Sequence, residues 1–216
     1  MAITVKICGL TSAEAADAAA RAGAAYGGLV FHPASPRNLA LEQAAALSAV
    51  MAGKLKRVAL VADRSDAELQ AIIAAASPEF LQLHGNESVA RTGEIRARFK
   101  LPVIKALPVA DAEDLRLAAD YEAVADMLLF DARPPKGAAR AGGHGAAFDW
   151  TLLTGKSFGK PWLLAGGLDP ANVARAIELS GASMVDVSSG VESAPGIKSS
   201  DKIAQFIAAT RQPVQA

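Results

Sequence analysis

The segment Val5-Lys6-Ile7-Cys8 is short, largely apolar and closed by Gly9. Similar segments follow at a steady interval: Gly27-Gly28-Leu29-Val30-Phe31, Arg57-Val58-Ala59-Leu60-Val61, Phe80-Leu81-Gln82-Leu83-His84, and Pro102-Val103-Ile104-Lys105-Ala106. The series ends with Met127-Leu128-Leu129-Phe130-Asp131, Trp162-Leu163-Leu164-Ala165 and Met184-Val185-Asp186-Val187-Ser188. Each is too short for an ordinary helix and fits a strand buried in a parallel sheet. Helix signals occupy the gaps. Thr11-Ser12-Ala13-Glu14 and Ser65-Asp66-Ala67-Glu68 read as capping boxes. Asp169-Pro170 reads as an N-cap with proline at the first helical position, and Gly23, Gly53 and Gly181 as C-caps. Repeating βα units of about 27 residues leave little room for insertions. The pattern predicts one α/β domain over residues 1–216, a single eight-stranded parallel (βα)8 barrel of the TIM type. An open doubly wound sheet is the alternative, but this number of units favours closure.

Composition narrows the function classes. Lys plus Arg number 22 and Asp plus Glu 22, so the formal charge is zero. That balance argues against a nucleic-acid partner, which needs a basic surface. No apolar run approaches the ~20 residues of a membrane span, and the N-terminus lacks a signal-peptide pattern. The single cysteine, Cys8, permits neither an internal disulfide nor a cysteine-based zinc site. A soluble cytoplasmic protein is expected, monomeric by preference, with a homodimer as the alternative.

Side chains on a strand alternate between its two faces. With Val5 and Ile7 turned to the helices, Lys6 and Cys8 face the barrel interior. The same reasoning turns Gln82, His84, Lys105, Asp131, Asp186 and Ser188 inward. Unpaired buried charge is costly, so polar residues at several strand ends suggest one shared site at the C-terminal mouth. Taken alone, a strand cysteine is usually an inert small hydrophobe. Its place before Gly9, at the end of the first strand, raises the functional reading. Lys6 and Asp186 read as a structural pair, because the last strand closes beside the first. Gln82 and His84 read as a supporting polar layer. The histidines lack carboxylates at ligand spacing, so no metal is expected. Gly166-Gly167 after the seventh strand and Ser188-Ser189-Gly190 after the eighth sit where such barrels hold phosphate, through close backbone approach and aligned amides. The long Gly-rich connection containing Gly142-Gly143-His144-Gly145 is a further functional candidate.

Together these segments resemble the phosphoribosylanthranilate isomerase family over nearly the whole chain. The resemblance is carried by Lys6-Ile7-Cys8-Gly9-Leu10-Thr11, by Phe31 through Ser35-Pro36-Arg37, and by Leu81-Gln82-Leu83-His84-Gly85. Leu129-Phe130-Asp131, the glycine cluster with Phe148-Asp149-Trp150, Leu164-Ala165-Gly166-Gly167-Leu168 and Asp186-Val187-Ser188-Ser189-Gly190-Val191-Glu192 complete it. His144 stands where members often have a small polar residue, and Ser199 where an aspartate is common.

The resemblance implies an Amadori rearrangement of N-(5-phosphoribosyl)anthranilate to 1-(2-carboxyphenylamino)-1-deoxyribulose 5-phosphate, in tryptophan biosynthesis. It implies Asp131 as the general acid that opens the furanose ring and Cys8 as the base that removes the C2 proton. Arg37 becomes the candidate for the anthranilate carboxylate, since its planar fork suits a carboxylate. Gly166, Gly167, Ser188, Ser189 and Gly190 would bind the phosphate, with Lys6, Gln82, His84 and Gly143 in support and no cofactor. A cysteine base requires a pKa below its usual ~8.5, and an aspartic acid donor one above its usual ~3.9.

The rivals are another sugar-phosphate barrel isomerase and a barrel that only binds a phosphate ligand. The isomerase of histidine synthesis is expected to carry aspartate where Cys8 stands and to show a half-to-half repeat. An indole-glycerol-phosphate synthase is expected to carry a longer extension before the first strand. A non-catalytic barrel needs the phosphate loops but neither Cys8 nor Asp131. Redox sensing by Cys8 is a further alternative.

Overall fold

The computed structural model describes residues 2–133 and 147–211. Its strands are β1 (Thr4–Cys8), β2 (Tyr26–Phe31), β3 (Lys56–Val61), β4 (Phe80–Leu83), β5 (Val103–Val109), β6 (Met127–Ala132), β7 (Trp162–Leu164) and β8 (Met184–Val187). They form a closed barrel in chain order, all neighbours parallel, with β8 returning beside β1. Helices α1 (Ala13–Ala22), α2 (Leu41–Met51), α3 (Asp66–Ala76), α4 (Val89–Phe99) and α5 (Leu117–Glu122) follow the first five strands in turn. Helix α6 (Val173–Ser180) follows β7, and α7 (Ser200–Ala209) follows β8 after a hairpin of β9 (Glu192–Ala194) and β10 (Ile197–Lys198). Between β6 and β7 the described residues hold only a short 3-10 turn, Trp150–Leu153.

The caps explain where the helices start. Ser65 and Glu68 form the expected box: the Glu68 amide donates to Ser65 Oγ and the Ser65 amide to Glu68 Oε2. At α1 the cap is Ser12, which accepts from the Ala15 amide. The Thr11–Glu14 box does not form, because Thr11 Oγ1 donates across the molecule to the Gly196 carbonyl. Asp169 caps the turn before α6, accepting from the Ala171 and Asn172 amides, and the helix itself starts at Val173. Gly23 and Gly181 end helices in the left-handed conformation, whereas α2 is capped by Ala52, one residue before Gly53.

The barrel has two apolar layers. Val5, Ile7, Leu29, Phe31, Leu81, Leu83, Val103, Leu107, Leu128, Phe130, Val185 and Val187 fill the space between sheet and helices. Tyr26, Val58, Ile104, Ala106, Met127, Leu129, Leu163 and Ala165 form a separate cluster of the opposite strand phase, inside the barrel. Above it, the interior positions pass to Lys6, Cys8, Gln82, His84, Asp131 and Asp186.

Lys105 does not join them. It shares the phase of Val103 and Leu107 and so points into the helix layer, contrary to the sequence reading. There its ammonium donates to Glu87 Oε2 at 2.8 Å and to the Gly85 carbonyl at 2.8 Å, and lies 5.6 Å over the Tyr121 ring. Glu87 also accepts from the Asp63 and Gly85 amides, which fixes the loop that follows His84. Removing one partner of a buried pair strands the other. Lys105→Met is therefore expected to cost about 3–5 kcal/mol, read as a lower urea midpoint at unchanged slope.

Candidate active site

Cys8 ends β1, and Gly9 turns the chain away with φ of 75°. The opposing residue on β2 is Gly28. A Cβ at Gly28 would stand 2.9 Å from Cys8 Sγ and 3.3 Å from Lys6 Nζ, so the missing side chain makes the space in which thiol and ammonium meet. Lys6 is register partner to Asp186 across the β1–β8 seam and donates to its Oδ1 at 2.9 Å. The expected pair forms. Burial pulls the Lys6 ammonium down, but Asp186 and Cys8 outweigh it and hold its pKa above the ordinary value.

Burial acts oppositely on Cys8. It drives the thiol above its ordinary pKa, Lys6 and Lys198 pull back, and Asp186 reinforces the rise. The Cys8 thiol therefore lies above its ordinary pKa, opposite to the lowering required by the sequence reading. Loss of solvation around a buried sulfur exceeds the attraction of the two ammonium groups.

Asp131 lies near the end of β6, three strands from β1 by way of β7 and β8, so it faces Cys8 from across the mouth. Its Oδ1 accepts the Ala132 amide at 2.9 Å and its Oδ2 lies 3.2 Å from His84 Nε2. His84 Nδ1 is 2.9 Å from Gln82 Nε2. With the Gln82 amide donating, His84 carries its hydrogen on Nε2 and presents it to Asp131. The supporting polar layer expected from sequence is thus a directed chain, and Gln82 Oε1 is left buried without a partner among the described residues. Gly166, with φ of 85°, passes so close that a Cβ there would be 2.5 Å from the Ala132 amide nitrogen and 3.1 Å from Asp131 Oδ1.

Arg37 is buried, its stem laid over Gly9, where a Cβ would overlap it. Its fork is already engaged: Nε donates to Glu192 Oε1 at 2.6 Å and Nη2 to Glu192 Oε2 at 2.8 Å. Glu192 also accepts from Lys198 Nζ at 2.8 Å. Burial raises the Glu192 carboxyl, but Arg37 and Lys198 outweigh it and hold it below its usual range. Burial dominates at Lys198 and pulls its pKa down. Lys198 Nζ further donates to the Ser188 carbonyl at 2.9 Å, and Ser188 Oγ donates to the Cys8 carbonyl at 3.1 Å.

The two glycine-bearing loops meet. A Cβ at Gly190 would overlap the Leu168 carbonyl oxygen, so the β8 loop packs directly on the β7 loop. Gly166 and Gly167 both take positive φ. The loops holding Gly166, Gly167, Ser188, Ser189 and Gly190 therefore form one rim, which joins the Cys8 side of the mouth through Ser188.

Glu192, Lys198 and Gly28 escaped the sequence reading as site residues. Glu192 closed a quoted motif, but nothing in its spacing reveals a partner 155 residues away, and Lys198 meets Glu192 and Ser188 only because the β9–β10 hairpin folds it back on them. Gly28 sat inside an apolar run whose small size was the only signal. Gly143 and His144 lie outside the described residues. Among the described residues, no group of three or more His, Cys, Asp or Glu could hold a metal ion.

The sequence model described as N-(5'phosphoribosyl)anthranilate (PRA) isomerase matches residues 5–209. The chain belongs to this isomerase family. The N-(5'-phosphoribosyl)anthranilate isomerase of Paramagnetospirillum magneticum is 54% identical over 211 residues, covering 98% of each chain. That of Paracoccus denitrificans is 53% identical over 214 residues, covering 99% of this chain and 100% of its own. Among solved structures, the phosphoribosyl anthranilate isomerase of Thermotoga maritima superposes with a TM-score of 0.87 at 34% identity, covering 97% of this chain and 98% of that one. Another solved isomerase of the family, similar with a TM-score of 0.83 at 32% identity over 97% of this chain and 98% of its own, was determined with reduced 1-(o-carboxyphenylamino)-1-deoxyribulose 5-phosphate bound. These isomerases share the closed barrel and cover essentially all of the sequence.

Proposed function

We propose that the whole chain acts as one barrel domain that isomerises N-(5'-phosphoribosyl)anthranilate to 1-(2-carboxyphenylamino)-1-deoxyribulose 5-phosphate, with Asp131 as general acid and Cys8 as general base. The observation that carries the assignment of roles is the facing pair itself: a thiol and a carboxylate at the ends of β1 and β6, each with its own polar support. The reacting form needs Asp131 protonated and Cys8 as thiolate, attracted by Lys6 and Lys198. Asp131 gives that proton to the ring oxygen as the C1–O bond breaks, and the substrate nitrogen becomes an iminium. Cys8 then takes the C2 proton, and the electron pair moves to the nitrogen. The enolamine so formed tautomerises to the aminoketose, so no external electron sink is needed. Opposed demands on two groups of one site are how a single fold runs acid and base chemistry at one pH.

The substrate's two anionic ends have separate supports in this reading. The rim of Gly166, Gly167, Ser188, Ser189 and Gly190 takes the phosphate, and Arg37 takes the anthranilate carboxylate. Loss of anthraniloyl fluorescence during turnover by purified protein tests the reaction, and absence of turnover overturns it.

The protein is proposed to work as a cytoplasmic monomer. One solved relative, from Thermotoga maritima, is described as dimeric. Here the exposed large hydrophobics among the described residues are Leu41, Leu117 and Ile197, on three separate elements, which offers little continuous apolar surface. No helix among the described residues is long and apolar enough to cross a membrane. Light scattering after size exclusion is expected to give the 22.1 kDa of one chain; a mass twice as large would refute the monomer.

A further inference from the structure

We infer that Glu192 is a positioning residue that sets how Arg37 meets the substrate, and thereby selects for an aniline ring bearing an ortho carboxylate. The inference rests on the function proposed above. Glu192 takes the side edge of the guanidinium, Nε and Nη2, at 2.6 and 2.8 Å. The end edge, Nη1 with the second Nη2 hydrogen, makes no hydrogen bond among the described residues, although Arg37 is only 5% exposed. One buried arginine thus has one edge fixed and one edge spare.

Glu192 is itself held from behind. Its carboxylate accepts from Lys198 Nζ at 2.8 Å and from the Gly196 amide at 3.3 Å, and its carbonyl accepts from Lys202 Nζ at 2.8 Å. Gly196 lies against the Pro36 carbonyl, which locks the hairpin to the residue before Arg37. Arg37 in turn rests over Gly9, next to Cys8. The carboxylate is therefore a fixed anvil, and the guanidinium plane has little freedom to rotate.

Charge supports the same conclusion. Arg37 and Lys198 bring two positive charges to one carboxylate, Glu192, and all three side chains are buried. A buried surplus charge is costly unless a counter-charge arrives. A substrate carboxylate on the spare edge of Arg37 would supply it, in a charge-assisted bond. Without Glu192 the guanidinium would turn, and the recognition of that carboxylate would be lost while the rest of the pocket remained.

The test compares two ligands by calorimetry: reduced 1-(o-carboxyphenylamino)-1-deoxyribulose 5-phosphate and the same compound without its carboxyl group. The unmodified protein is expected to prefer the carboxylated ligand by at least about 30-fold, as a charged hydrogen bond allows. In Glu192→Gln the preference is expected to fall to within about threefold, with affinity for the des-carboxy ligand kept. A variant that retains the preference, or loses affinity for both ligands equally, overturns the inference, since a purely structural role moves both alike. If Glu192→Gln does not fold, Glu192→Asp carries the test. Its shorter reach is expected to cut the preference by about tenfold and spare the des-carboxy ligand, and an undiminished preference overturns the inference. Failure of the underlying reading looks different: the unmodified protein would bind neither ligand.

Discussion

Replacing Cys8 with alanine is expected to lower kcat by about 10²–10⁴-fold, the usual contribution of a positioned general base. The fold should persist. The sulfur lies against Gly28, and its removal leaves a small cavity worth about 1 kcal/mol. Fluorescence turnover and thermal unfolding, measured on the same sample, separate the two effects. Near-normal turnover in the variant would end the assignment of Cys8 as base. The pH profile of the unmodified enzyme adds a second check. Burial holds the thiol above its ordinary 9.0, and a protonated Asp131 with an ionised Cys8 holds as many protons as a neutral thiol with an ionised carboxylate, so kcat/KM should stay level through neutral pH and fall as pH rises through the raised thiol value. A profile that instead climbs with the thiolate fraction to beyond about pH 9 would overturn the pairing of a protonated Asp131 with an ionised Cys8. Stability is linked to the same group. A raised folded pKa stabilises fully below the unfolded thiol's range and loses that contribution as pH rises through the folded value. Cys8→Ala should therefore lose less stability than the parent above about pH 8.5.

Asp131→Asn should be as damaging to turnover, about 10²–10⁴-fold in kcat, because an amide cannot hand a proton to the ring oxygen. Volume is conserved, and the introduced carbonyl can still accept the Ala132 amide. The other side of the group changes more. His84 Nε2 now presents its hydrogen to Asp131 Oδ2 at 3.2 Å, and the introduced NH2 would face it donor to donor. The chain can relieve this by moving the His84 hydrogen to Nδ1 and turning the Gln82 amide, which gives Gln82 Oε1, without a partner among the described residues, a donor. Nitrogen NMR of His84 is expected to report that tautomer change. Substrate-analogue affinity should stay within a few-fold. A variant with turnover intact would remove Asp131 from the mechanism.

Much of this architecture could be read from alternation alone. β1 carries Lys6 and Cys8 in one phase and Val5 and Ile7 in the other, and both phases fell as expected. β4, with Gln82 and His84, behaved the same way. β5 misled because Val103, Ile104, Ala106 and Leu107 are all buried. A strand covered on both faces has no polar side to fix its phase, so the one lysine was turned the wrong way. The expected pair of Lys6 and Asp186 was legible for a topological reason, since closure of any eight-stranded barrel brings the last strand beside the first.

Sequence by itself determined the barrel, its strand order, and the candidates Cys8, Asp131 and the two glycine-bearing loops, because hydrophobic period and strand-end position are local properties; Arg37 became a candidate only through the family resemblance. Tertiary structure alone decided what those candidates touch. Glu192 reaches Arg37 across 155 positions of chain, Lys198 reaches Ser188 from within the hairpin, and burial raises the Cys8 thiol that a local reading needed to be low. Pairing and desolvation depend on what surrounds a group in space, and the order of residues along the chain carries that only after the barrel has closed.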